Sequence, residues 1–249
     1  MKPQKVRLDQ LLVMNGLVEN PSKARSLIMA GNVLINEQKV DKAGQKFNSD
    51  TANIRIKSNE HNFVSRGALK LLHALKTWPL DITNMTAIDV GASTGGFSEV
   101  LLQAKAAKVY AIDVGYNQLD LKLRQDKRIV SMEKTHILHV DKSNFTEEIK
   151  IAVIDVSFIS LEKILAKVKN LLADNSRIYA LIKPQFEVGR ELIAKGGIVK
   201  DPQAHEWAVE KIKNVALTLD LEILGVEESP IFGTKGNKEF LIGLLKKPT

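Results

Sequence analysis

The 249-residue chain contains no cysteine. Disulfides, thiol nucleophiles and Cys-ligated zinc or iron–sulfur centres are therefore excluded, and a reducing, cytoplasmic setting is expected. Aromatic residues amount to only 5%. No apolar run approaches the ~20 residues that span a bilayer, so no membrane partner is expected. The opening Met1-Lys-Pro-Gln-Lys-Val-Arg7 lacks the apolar core of a secretory leader, and none is expected. The glycine-rich stretch Gly91–Gly96 is not G-x-G-x-x-G, because Gly95 comes four residues after Gly91. No Gly-Lys-Ser/Thr follows it, so it is not a P-loop either. The tight histidine pair, His136 and His139, has a zinc-compatible spacing but no third ligand at a signature distance. No metal is expected.

What is present is a globular composition, 44% hydrophobic and 26% charged, long enough for one large or two ordinary domains. The net charge of +7 is uneven. Residues 1–58 carry ten Lys/Arg against five Asp/Glu, and residues 59–249 carry 26 against 24. A small basic module thus precedes a nearly neutral larger one, and the module calls for a polyanionic partner.

In the basic module, Leu8, Leu11 and Leu12 have helical spacing, ended by Gly16. Pro21 opens a second helix that runs through Ala24, Leu27 and Ile28 to Gly31. Val33–Asn36 reads as a strand, Glu37-Gln38-Lys39 as a turn, Val40 as the start of an extended segment and Ile54–Ile56 as a last strand. The string from Ser22 to Asn36, S-K-A-R-S-L-I-M-A-G-N-V-L-I-N, together with Arg7-Leu8-Asp9, resembles the αL RNA-binding motif of the ribosomal protein S-four type. That resemblance implies two helices and a small sheet over residues 1–58 presenting a basic face to structured RNA, with Arg7, Lys23 and Arg25 as contacts. Cations near a helix N-terminus suit phosphate. Phe47 is the module's only aromatic, so recognition by shape and backbone is expected rather than base stacking.

The larger region alternates strand and helix patterns. Strands are expected at Thr86–Val90, Val109–Asp113, Ile151–Asp155, Arg177–Ile182, Leu221–Val226 and Glu239–Leu245. Helices are expected at Phe97–Ala104, Leu161–Leu172 and Trp207–Leu219. Such alternation argues for a doubly wound α/β fold, a mostly parallel sheet with helices on both faces and ligands at the strands' carboxyl ends. Asp113 ends the second of these strands, where a carboxylate suits a ribose diol. The D-V-G-A-S-T-G-G-F turn plus that acid resembles the S-adenosylmethionine site of class I methyltransferases. The resemblance implies a cofactor lined by Asp89, Gly91, Ser93, Gly95, Gly96, Phe97 and Asp113, bordered by Asp155, on a Rossmann-like sheet of seven strands.

Four residues stand out by context: Lys70 before the first large-domain strand, Asp155 and Lys183 at strand ends, and Glu239 opening the last strand. This order resembles the Lys-Asp-Lys-Glu tetrad of FtsJ-type ribose 2′-O-methyltransferases. The strings V-S-R-G-A-L-K-L, D-V-G-A-S-T-G-G-F, D-V-S-F-I-S-L, K-P-Q-F-E-V-G-R, K-G-G-I-V-K-D-P and G-N-K-E-F-L together resemble the TlyA (hemolysin A) family. That family joins an αL module to an FtsJ-like domain and methylates ribose 2′-hydroxyls of ribosomal RNA. The resemblance implies S-adenosylmethionine as cofactor, ribosomal RNA or ribosomal subunits as partner and cytidine as target nucleoside. It also implies Lys183 as base, Lys70 as neighbouring cation, Asp155 holding Lys183, Glu239 holding Lys70 or the ribose, and Arg66 among the RNA contacts. The boundaries expected are 1–58, a polar linker 59–63, and 64–249. A lysine can act as base when burial or a second cation lowers its pKa. Lys183-Pro-Gln-Phe stands where amino-methylating enzymes carry an Asn/Asp-Pro-Pro-aromatic string, which favours oxygen as acceptor. At 133–138 the chain reads E-K-T-H-I-L where relatives often have E-x-T-N-x-R, so His136 and Leu138 bear on the choice of substrate. A non-catalytic ribosome assembly factor, a membrane-active hemolysin and a nicotinamide-dependent oxidoreductase are the rival readings; the glycine spacing disfavours the last.

Overall fold

The structure is a computed structural model that describes residues 5–18, 20–29, 31–49, 52–56, 63–233 and 236–248, with the side chains of Lys23 and Ser26 left out. It divides into two compact units, 1–62 and 63–249.

The first unit runs β1 (Lys5–Arg7), α1 (Leu8–Met14), α2 (Pro21–Met29), β2 (Val33–Ile35), β3 (Gln38–Val40), β4 (Lys46–Asn48) and β5 (Ile54–Ile56). Its core takes Leu8 and Leu12 from α1, Ala24 and Ile28 from α2, and Val33 and Ile35 from β2. These are the i, i+4 and i, i+2 spacings that put apolar side chains on one helix or strand face. β3, β2 and β5 form one antiparallel sheet, and β1 pairs with β4 in another. The turn lies one residue earlier than the sequence indicates. Asn36 and Glu37 have φ of 50° and 64°, a primed hairpin turn, and Gln38 and Lys39 are already paired strand.

The second unit continues with α3 (Ala68–Thr77), β6 (Thr86–Val90), α4 (Gly96–Gln103), β7 (Lys108–Ile112), α5 (Leu121–Arg124), β8 (Ile129–Met132), β9 (Ile149–Ile154), α6 (Leu165–Leu171), β10 (Leu172–Ile182), α7 (Pro184–Glu187), α8 (Pro202–Thr218), β11 (Leu221–Glu228) and β12 (Phe240–Lys246). The seven strands lie in the order β11-β12-β10-β9-β6-β7-β8, with β12 antiparallel to both neighbours. Alternate residues of each central strand feed two cores. Ala152 and Ile154 join Ile178, Ala180 and Ile182 under α6 and α8. Ile151 and Val153 join Tyr179 and Leu181 under α3 and α4. Both faces are covered, so the strands read as near-continuous apolar runs. α8 starts at Pro202, capped by Asp201, five residues before the apolar periodicity becomes visible at Trp207.

Candidate active site

The chain leaves β6 for β7 and β8 on one side of the sheet and returns through β9 on the other. The crevice at this switch point lies at the carboxyl ends of β6, β7 and β9. Asp155 N donates to the Val90 carbonyl at 2.9 Å, which sets the end of β9 directly beside the Gly91–Gly96 turn.

That turn is tightly built. Gly91 has φ of 84°, and a Cβ there would stand 2.5 Å from the Asp155 carbonyl oxygen. Gly95, at φ of 95°, would drive a Cβ into Leu123. These glycines are required by neighbouring protein atoms, quite apart from any ligand. Gly91-Ala-Ser93-Thr-Gly95 also satisfies the Gly-x-Ser-x-Gly spacing of a hydrolase nucleophile elbow, with Ser93 at φ of 48°. Among the described residues no hydrogen bond joins Ser93 Oγ to a histidine. His136 accepts at Nδ1 from Leu138 N, and Asp113 accepts from Ser93 N (2.8 Å) and Gly115 N (2.7 Å). Asp113 thus fixes the turn as well as lining the cleft; each carboxylate oxygen retains a lone pair for a further donor.

A cleft of about 600 Å³ is lined by Gly91, Ser93, Asp113, His136, Asp155 and Phe158, among others. A smaller one of about 180 Å³ adjoins it through shared Gly91, Ser93, Asp155 and Ser157, and adds Asp89, Gly96, Phe97 and Lys183. Asp89 is fully buried. Ser98 Oγ donates to its Oδ2 at 2.7 Å, while Oδ1 has no partner among the described residues. Burial, helped by the charges of Asp155 and Asp113, pushes its carboxyl up to about 7. A buried oxygen lacking a donor costs about 1–3 kcal/mol, so this edge of the cleft is built for a cationic or N–H-bearing ligand.

The four tetrad candidates meet. Lys70, 6% exposed, lies on α3 and donates to Glu239 Oε2 at 2.5 Å; its Nζ stands 3.8 Å from Asp155 Oδ2. Lys183, 8% exposed, follows β10. Its Nζ is 2.6 Å from Asp155 Oδ1 and donates to Ser157 Oγ at 3.1 Å. The directed hydrogen bond goes to Ser157, and none is formed with Asp155 Oδ1. Two lysines and two carboxylates are therefore held at the carboxyl edge, spaced for proton transfer. Three supporting groups are not evident from sequence. Ser157 orients Lys183. Ser65 lines the smaller cleft beside Gly96. Glu99 of α4 accepts from Val64 N and from Lys122 Nζ, both at 2.6 Å, and so anchors the entry to α3.

Of the expected RNA contacts, Arg66 is exposed beside this cleft's Ser65 and Gly67. In the first unit, Arg7 forks onto the buried Asp9 through Nε (3.0 Å) and Nη2 (2.9 Å), and Arg25 approaches the same carboxylate at 3.8 Å. Asp9 is held below the usual carboxylate range, chiefly by the Arg7 hydrogen bond. The Lys23 side chain lies outside the described residues. No described helix is long and apolar enough to cross a membrane.

A strand order of this kind, with a glycine turn at the switch point and acidic and basic side chains gathered around it, is that of a Rossmann-like methyltransferase. Residues 63–246 match the FtsJ-like methyltransferase family, and residues 6–51 match the S4 domain. YqxC of Bacillus subtilis is 46% identical over 245 residues, 98% of this chain and 87% of that protein. The 16S/23S rRNA (cytidine-2′-O)-methyltransferase TlyA of Mycobacterium tuberculosis is 37% identical over 241 residues, 97% of this chain and 90% of its own. A solved Streptococcus thermophilus protein that carries a hemolysin name is 42% identical, with a TM-score of 0.77 covering 100% of this chain and 90% of that one. The chain belongs to the TlyA family of FtsJ-like methyltransferases.

Proposed function

We propose that the protein transfers a methyl group from S-adenosylmethionine to a ribose 2′-hydroxyl of ribosomal RNA, at a cytidine. The observation that carries this reading is the buried Lys70–Glu239 pair meeting the Asp155–Lys183 pair, whose carboxylate is partly exposed, at the glycine cleft. The names of the TlyA relatives supply the nucleoside and the RNA. The cleft fits the cofactor. The orphaned Asp89 oxygen suits its ammonium end, Asp113 its ribose diol, and Asp155 the neighbourhood of its positive sulfur. Gly91, Ser93, Gly96 and Phe97 line the wall between them, while Gly95 lines neither cleft and shapes the turn from behind, against Leu123.

Bound S-adenosylmethionine supplies an electrophilic methyl on a positively charged sulfur. The chain supplies what a ribose hydroxyl lacks at neutral pH. Lys183 Nζ, as the free amine, would accept the hydroxyl proton, so that the 2′-oxygen could take the methyl group while the methyl–sulfur bond breaks and leaves its electron pair on sulfur. Asp155 and Ser157 hold that amine, and Lys70, fastened by Glu239, orients the ribose. Residues 1–58 dock the RNA through Arg7, Lys23 and Arg25, Arg66 adds a contact beside the cleft, and residues 64–249 carry the chemistry. The linker at 59–63 falls largely outside the described residues.

The test is a cofactor-binding titration paired with methyl transfer to purified ribosomal subunits. The expected result is saturable binding and transfer that Lys183→Ala removes without loss of binding. Binding of RNA without methyl transfer by the wild-type protein would instead make it an assembly factor. Leakage of liposomes that survives loss of the tetrad would make it membrane-active.

A further inference from the structure

Among the described residues, Glu187 is a buried carboxylate that the reaction as derived does not use. Glu187 ends α7, four residues after Lys183, and is 5% exposed. Its Oε1 accepts from Leu161 N at 2.8 Å, and its Oε2 accepts from Ser160 Oγ. From α8, Lys211 Nζ reaches both the Glu187 carbonyl (3.2 Å) and Oε2 (3.4 Å), and pairs with Glu162 at 2.8 Å. Ser160 Oγ in turn accepts from Glu162 N, capping the short helix at Leu161–Lys163. Burial outweighs these donors, so the carboxyl sits above the usual carboxylate range.

This cluster has a particular place in the fold. The segment Asp155–Leu161 leaves β9, lines both clefts with Asp155 and Ser157, and must turn back toward α6. The segment is held to the stretch Lys183–Glu187 at two points. At the near end, Asp155 and Ser157 meet Lys183. At the far end, Ser160 and Leu161 meet Glu187. Between them, Phe158 and Phe186 rings stand 5.3 Å apart. Phe158 takes φ of 66°, a backbone region that a bulky side chain adopts only under constraint. A strained loop keeps one conformation only when both of its ends are fixed. The near end alone rests on the groups that must move a proton.

We propose that Glu187 is a positioning residue: through Ser160 and Leu161 it fixes the Asp155–Ser157 loop against Lys183, so that the base keeps its angle and distance to the ribose hydroxyl. This rests on the reading of Lys183 as base. Displacements of about 1 Å at reacting groups cost up to a hundredfold in rate.

The test compares Glu187→Gln, Ser160→Ala and Ser160→Thr with wild type in steady-state methyl transfer to ribosomal subunits, with rates normalised to active sites titrated by cofactor. Glu187→Gln should lower kcat by ten- to a hundredfold with KM for RNA within about twofold, and should displace the limb of the kcat–pH profile that Lys183→Ala abolishes. Ser160→Ala should show a smaller effect of the same kind, and Ser160→Thr, which keeps the hydroxyl, should restore the wild-type profile. If Glu187→Gln fails to fold, the two Ser160 variants decide. A loss explained wholly by fewer active sites, with the pH profile unmoved, would overturn the positioning role. Absence of transfer by the wild-type protein would instead overturn the underlying proposal, so the two failures are distinguishable.

Discussion

The two units place the same kind of residue in opposite environments. In the first, the described arginines are on the surface: Arg25 is 59% exposed at its side chain and Arg55 57%, and each stands against an acid of its own unit. In the second, Lys70 and Lys183 are almost wholly buried and locked to Glu239 and Asp155. An exposed cation attracts a polyanion over a Debye length and is screened by salt; a buried one acts over a few ångströms and is screened little. The first unit is therefore suited to capture, and the second to a reaction. The nearly neutral balance of the larger unit is no obstacle to an RNA substrate, because its decisive lysines are few and internally compensated.

The largest effect that bears on this contrast is at Lys183. Lys183→Ala should lower methyl transfer by about 10²–10⁴-fold, the usual contribution of a positioned base, while leaving RNA affinity near wild type in a filter-binding assay. Equal losses in both would erase the distinction between the units. Next comes the glycine turn. Gly91→Ala places a methyl against the Asp155 carbonyl at a left-handed φ, so calorimetry should show cofactor affinity reduced about tenfold or more, since two steric costs of about 1–3 kcal/mol combine.

A smaller effect concerns Asp89. Its folded carboxyl titrates near 7 against an ordinary value of 3.8, so the folded state binds the proton more tightly than the unfolded one. This group's contribution to stability therefore falls as pH rises from about 4 to about 7 and is constant above that. In the cofactor-free protein, Asp89→Asn should melt progressively higher than wild type across that window, with the gap levelling beyond pH 7; a constant gap from pH 4 to 8 would contradict the assignment. The same variant should bind cofactor less tightly, having no charge to offer an ammonium group.

The smallest effect belongs to the exposed class. Arg25→Ala should weaken RNA binding only severalfold, reducing the slope of log K against log salt by roughly 0.7–0.9 for the one phosphate contact removed. Arg7→Ala is a poorer probe, because it also strips the buried Asp9 of its fork.

Much of this was legible in the sequence, for reasons that differ by residue. Asp155, Lys183 and Glu239 stand where an apolar strand pattern stops or starts, so chain order alone brings them to one edge of a parallel sheet. The two helices of the first unit announce themselves by i, i+4 apolar spacing. Four kinds of feature were not legible. The pairing of Lys46–Asn48 with Lys5–Arg7 joins segments too short and polar to show periodicity. The hairpin turn at Asn36-Glu37 depends on two positive φ values outside glycine. The braces that set the site, Glu99 on Val64 and Glu187 on Ser160, join residues 35 and 27 apart whose meeting follows from strand order rather than spacing. The second role of Asp113, tying down Ser93 and Gly115, is likewise visible only once the turn has folded back on it.

The account stands most directly on one measurement: mapping of 2′-O-methyl groups along both ribosomal RNAs after incubating unmodified subunits with the purified protein and S-adenosylmethionine. The account predicts at least one gained ribose methyl, at a cytidine, absent when Lys183→Ala replaces the wild-type protein. No gained 2′-O-methyl on either subunit, or a methyl found on a base, would contradict it.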